Sequence, residues 1–274
     1  MIIVKTLNIV KADPAGNITV FVLNGEDLGE AERLRAAGLL LADKALGAEQ
    51  AGFVSAPPPD GGLWRLTMAG GEFCGNAARS FGLFVARKMG LSGRQTVNVL
   101  VSGAEGTLAV DVDCDSGEAC AAIPPPYDGG GIYFDGKPLN YYRFGGISHI
   151  IACDIEPGAE TFFRIKELYE SQNNFPRDAL GVMFYDTAKK FMRPAVYVYA
   201  ADTFVFETSC GSGSAALACR IFERLPPSAA QQSIPIKQPG GIITVGITGQ
   251  GKVVKSITIG GRVYLSTAAV QIDL

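Results

Sequence analysis

The sequence predicts an α/β protein built from two similar halves. Strand-like stretches with apolar residues at every second position alternate with helix-like stretches whose apolar residues recur every three or four positions. Two of the helices begin at a Cys-Gly pair, at Cys74 and at Cys210, about half the chain apart. A cluster of proline and glycine at residues 123–131 separates the two copies. An internal repeat of this size predicts two domains of similar structure.

The first half is expected to cover residues 1–123, completed by the last strand at about residues 264–274. Its helices are expected at residues 28–46 and from Cys74 to about residue 88. The first of them is predicted to bury one apolar face, formed by Leu34, Ala37, Leu40 and Leu41. The strands are expected at residues 2–10, 18–23, 48–57, 63–67, 96–103, 106–115 and 118–123.

The second half is expected to cover residues 130–263. Helices are expected at residues 159–173 and from Cys210 onwards. The first strands are predicted to form a hairpin that turns at Asp135 and Gly136. The predicted strands lie at residues 132–144, 145–155, 182–185, 195–200, 240–250 and 255–274.

Composition excludes several classes of protein. The 274 residues carry a net charge of −3 without a basic block, which argues against a nucleic-acid or membrane partner. The first residues read as a strand rather than a signal peptide, so a cytoplasmic protein is expected. The six cysteines include no CxxC pair, and His149 is the single histidine, so neither a disulfide scaffold nor a bound metal is expected.

Each Cys-Gly helix start predicts a reactive thiol. A cysteine in the first turn faces unpaired backbone N–H groups and the positive end of the helix dipole, so its pKa is expected to fall. The same N–H groups would hold a carboxylate. The alternative is that small residues at Cys74 and Cys210 only permit tight helix packing.

Two such helix starts facing one cleft would suit the inversion of a carbon stereocentre. One sulfur, as thiolate, would remove a proton from one face, and the other, as thiol, would return a proton to the opposite face. The helix N-termini would stabilise the negative charge that develops on the substrate carboxylate. This chemistry needs no cofactor as an electron sink, and the sequence carries neither a Walker loop nor GxGxxG at Cys74.

The motifs CGNAAR at Cys74 and ETSCGSGSAA at Cys210 resemble those of the diaminopimelate epimerase family of cofactor-independent racemases and epimerases. The similarity spans the chain, including AGN at residues 15–17, GAEQ at 47–50 and FPRDALGVMF at 175–184. It implies two domains, each a β-barrel-like sheet around a central helix, with Cys74 and Cys210 as the acid/base pair. It implies an amino-acid substrate bound by Asn17, Gln50, Met68, Gly75, Asn76, His149, Glu207, Gly211 and Ser212. A purely structural role for His149 is the alternative.

Departures from the family pattern argue against diaminopimelate itself as substrate. The polar stretch usual before the first cysteine is shortened to TMAGGEF, with Met68 in place of a polar residue. Ile147 stands where an asparagine is usual, and the usual Tyr-Glu-Arg is replaced around residues 199–202. A site built to bind the charged far end of diaminopimelate would have kept these polar groups. The form MAGGEFCGNA is more similar to histidine racemases that supply D-histidine for opine-type metallophores.

Other interpretations remain open at this stage. The substrate could be diaminopimelate or another amino acid, and the protein could be an inactive amino-acid-binding relative of the same fold. A disulfide between Cys74 and Cys210 would make a redox sensor of the pair. A homodimer is compatible with the sequence but not predicted by it.

Overall fold

The computed structural model describes residues 4–172, 178–226, 228–251 and 253–273. The chain divides into two compact units, the described residues of 1–122 with 260–274 and those of 123–259. The elements of the first unit are β1 (Val4–Asp13), β2 (Thr19–Val22), α1 (Glu30–Ala42), β3 (Gln50–Ser55), β4 (Arg65–Met68), α2 (Gly75–Lys88), β5 (Arg94–Val101), β6 (Leu108–Asp113) and β7 (Glu118–Ile123).

The second unit contains a comparable set of elements. They are β8 (Asp128–Phe134), β9 (Lys137–Phe144), β10 (Ile147–Cys153), α3 (Ala159–Gln172), β11 (Ala179–Asp186), β12 (Phe191–Val198), β13 (Thr203–Phe206), α4 (Gly211–Phe222), β14 (Gln231–Gln238) and β15 (Gly241–Gln250). The strand β16 (Val253–Arg262) leads back to the first unit, where β17 (Tyr264–Asp273) pairs with β1.

The two units repeat the same order of strand pairings. In the first unit β1 and β2 are antiparallel, β2 and β3 are parallel across α1, and β4 and β5 are parallel across α2. In the second unit β9 and β10 are antiparallel, β10 and β11 are parallel across α3, and β12 and β14 are parallel across α4. A parallel pair needs such a crossover, and a helix commonly supplies it. The α/β class with two similar domains is therefore confirmed.

The helix that follows each Cys-Gly pair is buried on all sides. In α2 every residue from Asn76 to Ala86 is buried, and Phe81 packs edge-on against Phe21 with 5.8 Å between ring centroids. In α4 every residue from Gly213 to Cys219 is buried. A helix that is buried on all sides lies in the centre of its domain, and this is the position that the family resemblance implies.

Some predicted elements differ from the structure. The first helix runs only from Glu30 to Ala42, because Gly29 begins it with a backbone N–H bonded to Glu32 and Asp43 ends it in an extended conformation. Its buried residues are Ala36, Ala37 and Leu40, whereas Leu34 and Leu41 are exposed by 59% and 41%. The predicted single apolar face was wrong in these two positions.

The predicted strands also differ from the structure at the proline and glycine cluster of residues 123–131 and in two later strands. β8 begins at Asp128 and runs through the three glycines before the hairpin turn, whose Asp135 and Gly136 have the positive φ values of 49° and 75° that a two-residue turn requires. β13 and β14 were not predicted, and β14 contains Pro235, an uncommon residue within a strand. The predicted helix end at Asn173 lies outside the described residues.

Candidate active site

Cys74 is the N-cap residue of α2. Its backbone is extended, with φ −125° and ψ 114°, and its sulfur accepts a hydrogen bond from the backbone N–H of Ala77 at 3.4 Å. The thiol donates to Gln50 Oε1 at 3.0 Å, from the start of β3. The sulfur therefore lies between the N–H groups of the first helical turn and the side-chain amide of Gln50.

Cys210 occupies the same position in the second unit. It is the N-cap residue of α4 with φ −132° and ψ 117°, and it is 8% exposed. Its backbone N–H donates to Gln238 Oε1 at 2.8 Å, and Gln238 in turn donates to Ser214 Oγ at 2.9 Å. Sequence reasoning missed Gln238, which lies at the end of the unpredicted strand β14.

The pKa of each thiol lies above its usual value, not below it. Burial raises the pKa of Cys74, although the hydrogen bonds that the sulfur accepts from the N–H groups of Ala77 and Asn76, and its hydrogen bond with Gln50, lower it. Burial raises the pKa of Cys210 well above the usual range, and the nearby Glu207 carboxylate raises it further. The prediction of lowered pKa values was wrong because the cost of burying a thiolate exceeds the benefit of the helix N–H groups.

Three of the residues predicted for the first unit, Asn17, Gln50 and Asn76, lie around Cys74. Gln50 contacts the sulfur directly, and its Oε1 also accepts from Thr19 at 3.3 Å. Asn76 Nδ2 donates to Asn17 Oδ1 at 3.4 Å, and Asn17 Nδ2 donates to Glu49 at 2.8 Å. Asn17 and Asn76 are almost fully buried, so their amides have fixed orientations.

The other two predicted residues of this unit differ in their surroundings. Gly75 is the first residue of α2. Its backbone N–H has no carbonyl partner within the helix, because no helical residue precedes it. Met68 is 1% exposed and belongs to the hydrophobic core, and its N–H donates to Ser102 Oγ at 2.9 Å. A substrate contact for Met68 stays a prediction.

In the second unit the structure brings His149 to the cysteine-bearing helix. His149 Nε2 lies 2.8 Å from Ser212 Oγ, and Ser212 Oγ lies 3.7 Å from Cys210 Sγ. His149 is fully buried, stacks edge-on with Phe144, and burial lowers its pKa to about 3. A neutral imidazole therefore sets the orientation of the Ser212 hydroxyl, which faces the sulfur.

Gly181 provides the space that His149 needs. The parallel register of β10 and β11 pairs these two residues, and a methyl group on Gly181 would collide with the imidazole Nδ1 and Cε1 atoms. Two further predicted residues belong to this unit. Gly211 is the first residue of α4, and Glu207 lies three residues before Cys210. Thus His149, Glu207, Gly211 and Ser212 are gathered around Cys210.

Replacing Gly181 with alanine is expected to displace the His149 ring and separate it from Ser212. Because a shift of about 1 Å at a catalytic group can cost about 10²-fold in rate, we expect a loss of that order in turnover. Gly38→Ala is the matched control, since a methyl group at Gly38 meets no atom within 4 Å. Turnover would be measured for both variants, and equal rates would show that His149 does not orient the site.

The single histidine also gives a specific pH dependence of stability. His149 has a pKa of about 3 when folded and an ordinary value near 6.5 when unfolded, so protons bind the unfolded chain preferentially below about pH 6.5. Stability is expected to fall by about 2 kcal/mol from pH 7 to pH 5 through this residue alone. Urea unfolding at both pH values would measure the loss for the protein and for His149→Asn. The same loss in both proteins would contradict the assignment.

Neither a metal cluster nor a membrane-spanning helix is found in the described part of the chain. Across residues 4–172, 178–226, 228–251 and 253–273, no group of three or more His, Cys, Asp or Glu side chains is arranged to hold a metal ion. Within the same ranges no helix is long and apolar enough to cross a bilayer.

The fold of the chain is shared with solved structures that include two epimerases and an isomerase. Three solved structures resemble it over nearly its full length. A predicted epimerase from Pseudomonas aeruginosa has a TM-score of 0.67 and 14% sequence identity, and the match covers 98% of this chain and 99% of that one. A hydroxyproline epimerase from Agrobacterium vitis with bound trans-4-hydroxy-L-proline has a TM-score of 0.62 and 15% identity, covering 98% of this chain and 93% of that one. A methylitaconate-delta-isomerase has a TM-score of 0.54 and 12% identity, covering 99% of this chain and 96% of that one.

The sequence comparisons are more specific. The model of the histidine racemase CntK N-terminal domain matches residues 6–270, and the chain belongs to this family. A histidine racemase of Fusobacterium nucleatum is 34% identical over 221 residues, covering 78% of this chain and 81% of that protein. A histidine racemase of Staphylococcus aureus is 28% identical over 247 residues, covering 86% of each. The predicted resemblance to the cofactor-independent racemases and epimerases is thus confirmed, and the chain is an isomerase of the racemase and epimerase class.

Proposed function

We propose that this protein interconverts L-histidine and D-histidine by proton transfer at Cα. The observation that carries the proposal is the duplicated site: each unit presents a cysteine as the N-cap of its buried central helix. Racemisation needs two groups that exchange the roles of acid and base, and two chemically identical side chains satisfy that need. Membership of a histidine racemase family supports histidine as the substrate.

In the proposed reaction one thiolate removes the α-proton and the other residue, as thiol, delivers a proton to the opposite face. The two sulfurs exchange protonation states in each turnover, and the reverse reaction restores them. The carbanion carries its charge into the carboxylate, which the N–H groups at Gly75, Asn76, Gly211 and Ser212 are proposed to hold. The pyridoxal cofactor that many racemases use is not part of this proposal.

The high pKa values of the free thiols are compatible with this reaction. A thiol whose pKa exceeds its usual value is a stronger base once ionised, and an α-proton of an amino acid is only weakly acidic. In the proposed mechanism only a small fraction of each thiol is ionised at neutral pH, and the thiolate that forms is a strong base. We also propose a cytoplasmic protein whose D-histidine enters an opine-type metallophore, as the sequence resemblance implies.

A solvent-exchange assay tests the function. In deuterium oxide, purified protein with L-histidine should lose optical rotation while deuterium enters Cα, and the mixture should approach equal amounts of both enantiomers. L-Alanine, L-proline and LL-diaminopimelate would be run as parallel substrates. Deuterium incorporation into diaminopimelate alone would show that diaminopimelate, and not histidine, is the substrate. Tight histidine binding without any exchange would indicate an inactive binding protein.

A further inference from the structure

Arg79 is a fully buried cation that the proposed reaction does not use. It lies on α2 and is 0% exposed. Its guanidinium donates to Asn76 Oδ1 at 3.2 Å, to the carbonyl of Gly261 at 2.8 Å and to the carbonyl of Pro14 at 3.1 Å. Each of its three nitrogens therefore binds a different residue of the first unit, and one of these residues is a predicted substrate contact.

Arg79 and Glu49 are the two ends of a chain of side-chain hydrogen bonds. Beyond the bond from Arg79, Asn76 Nδ2 donates to Asn17 Oδ1 at 3.4 Å, and Asn17 Nδ2 donates to Glu49 Oε2 at 2.8 Å. Both asparagines are buried. The chain thus leads from α2 to the turn after β1 and on to the residue before β3, entirely within the first unit.

The two ends of this chain dictate the direction of each amide. A guanidinium can only donate hydrogen bonds and an ionised carboxylate can only accept them, whereas an asparagine amide can do either. Because Arg79 is a donor, Asn76 must turn its oxygen toward Arg79 and its nitrogen toward Asn17. Asn17 must then turn its oxygen toward Asn76 and its nitrogen toward the Glu49 carboxylate. Reversing either amide would place two donors or two acceptors together in a buried position, which is costly.

The same guanidinium also holds the turn that carries Asn17. Ala15 in this turn has a φ of 71°, a left-handed conformation that residues other than glycine rarely adopt. Such a conformation persists where surrounding contacts hold it, and Arg79 binds the carbonyl of the preceding residue, Pro14. Arg79 therefore acts on Asn17 in two ways, through the amide of Asn76 and through the backbone of the turn.

The chain of amides ends beside the residue that contacts the Cys74 sulfur. Glu49 precedes Gln50, whose Oε1 accepts from the Cys74 thiol at 3.0 Å. The backbone N–H groups of Glu49 and Gln50 both donate to the carbonyl of Ile18, at 2.9 and 3.1 Å, and Ile18 follows Asn17. The oriented amides are thus joined by hydrogen bonds to the segment that contacts the sulfur.

We propose that Arg79 is a positioning residue, which fixes the donor and acceptor directions of Asn76 and Asn17 so that these amides hold the substrate at the start of α2. The assignment rests on the proposed function, since the family resemblance implies both asparagines as substrate contacts. An arginine supplies three donor nitrogens in a rigid fork and no acceptor. Burial lowers its pKa to about 10, so the guanidinium keeps all of its donors at neutral pH.

Steady-state kinetics with L-histidine tests the proposal. Arg79→Gln introduces a group that can accept as well as donate, so the two amides are no longer held in one direction. Because a hydrogen bond to a charged group contributes about tenfold or more to binding, KM should rise by at least about tenfold, with a smaller change in kcat. Asn76→Asp keeps an acceptor for Arg79 but cannot donate to Asn17. It should raise KM to a similar degree while its unfolding midpoint stays near that of the unaltered protein.

Arg87→Gln is the matched control. Arg87 lies on the same helix and donates to the carbonyl of Cys114 at 3.1 Å, so this variant loses a contact between segments without disturbing an amide of the site. Its KM should equal that of the unaltered protein. If folded Arg79→Gln lost stability but kept the KM of the unaltered protein, Arg79 would be a structural clamp only, and the proposal would be overturned.

Side-chain amide signals give a readout that does not depend on catalysis. In NMR spectra of the isotope-labelled protein, the Nδ2 protons of Asn17 and Asn76 should exchange with solvent at least about tenfold more slowly than those of the exposed Asn98. Their exchange should become faster in Arg79→Gln. Exchange as fast as that of Asn98 in the unaltered protein would overturn the proposal, and this comparison decides the matter alone if Arg79→Gln fails to fold.

The two measurements also separate this assignment from the proposed function. Slow amide exchange that Arg79→Gln accelerates, in a protein that does not racemise histidine, would retain the assignment of Arg79 and remove the proposed function. Racemisation of histidine with amide exchange and KM both unaffected by Arg79→Gln would retain the function and remove the assignment.

Discussion

Serine in place of either Cys74 or Cys210 is expected to abolish racemisation of histidine. A serine hydroxyl is far less acidic than a thiol, so it neither removes nor returns the α-proton at a useful rate. Proton transfer by a positioned side chain contributes about 10²–10⁴-fold, and each variant should lose turnover in that range. The loss would be measured by chiral chromatography of the histidine enantiomers over time.

The double variant provides the sharper comparison. Because the two sulfurs act as one unit, Cys74→Ser with Cys210→Ser should be no slower than the worse single variant. Cys153→Ser is the matched control, since Cys153 is a half-buried thiol at the end of β10, and its turnover should be unchanged. Activity that survives in either single variant would remove the two-thiol mechanism while leaving the family assignment intact.

The parts of the fold that were predicted correctly are those where local sequence and burial agree. The helix at Cys74 was expected to end near residue 88 and ends at Lys88, because small residues open it and apolar residues follow on every side. Helix α4 was predicted correctly from the second Cys-Gly pair, because there too small residues are followed by apolar ones. Strand β14 was missed because Pro235 and several glutamines interrupt the alternation of apolar and polar residues that marks a strand. It is stabilised by antiparallel pairing with β15 over eight residues, which the local sequence does not reveal.

The candidate site was predictable in its residues but not in its energetics. The motifs located Cys74 and Cys210, but they carry no measure of burial, and burial decides the direction of both pKa values. Arg79 is visible in the sequence as one arginine within an apolar helix face. Its guanidinium donates to the carbonyls of Pro14 and Gly261, which are distant along the chain and meet it only in the folded unit.

Phe81→Ala is expected to cause the largest loss of stability among single substitutions in α2. Phe81 is fully buried between Phe21, at 5.8 Å, and Phe84, at 6.0 Å between ring centroids. Removing a buried phenylalanine ring costs about 3–5 kcal/mol, which is a large part of the roughly 5–15 kcal/mol that stabilises a typical domain. Urea unfolding followed by circular dichroism would measure the change in midpoint.

Comparison with the cysteine variants separates packing from catalysis. Leu34→Ala removes an apolar side chain that is 59% exposed on α1, and its unfolding midpoint should stay within error of the unaltered protein. Phe81 lies two helical turns from Cys74, so the folded fraction of Phe81→Ala should retain most of its turnover at low temperature. Cys74→Ser should show the opposite pattern, with turnover lost and the midpoint nearly unchanged. If Phe81→Ala instead lost turnover while fully folded, the core of α2 would have to act on the reaction itself, and the N-cap sulfur could no longer be treated as an independent catalytic element.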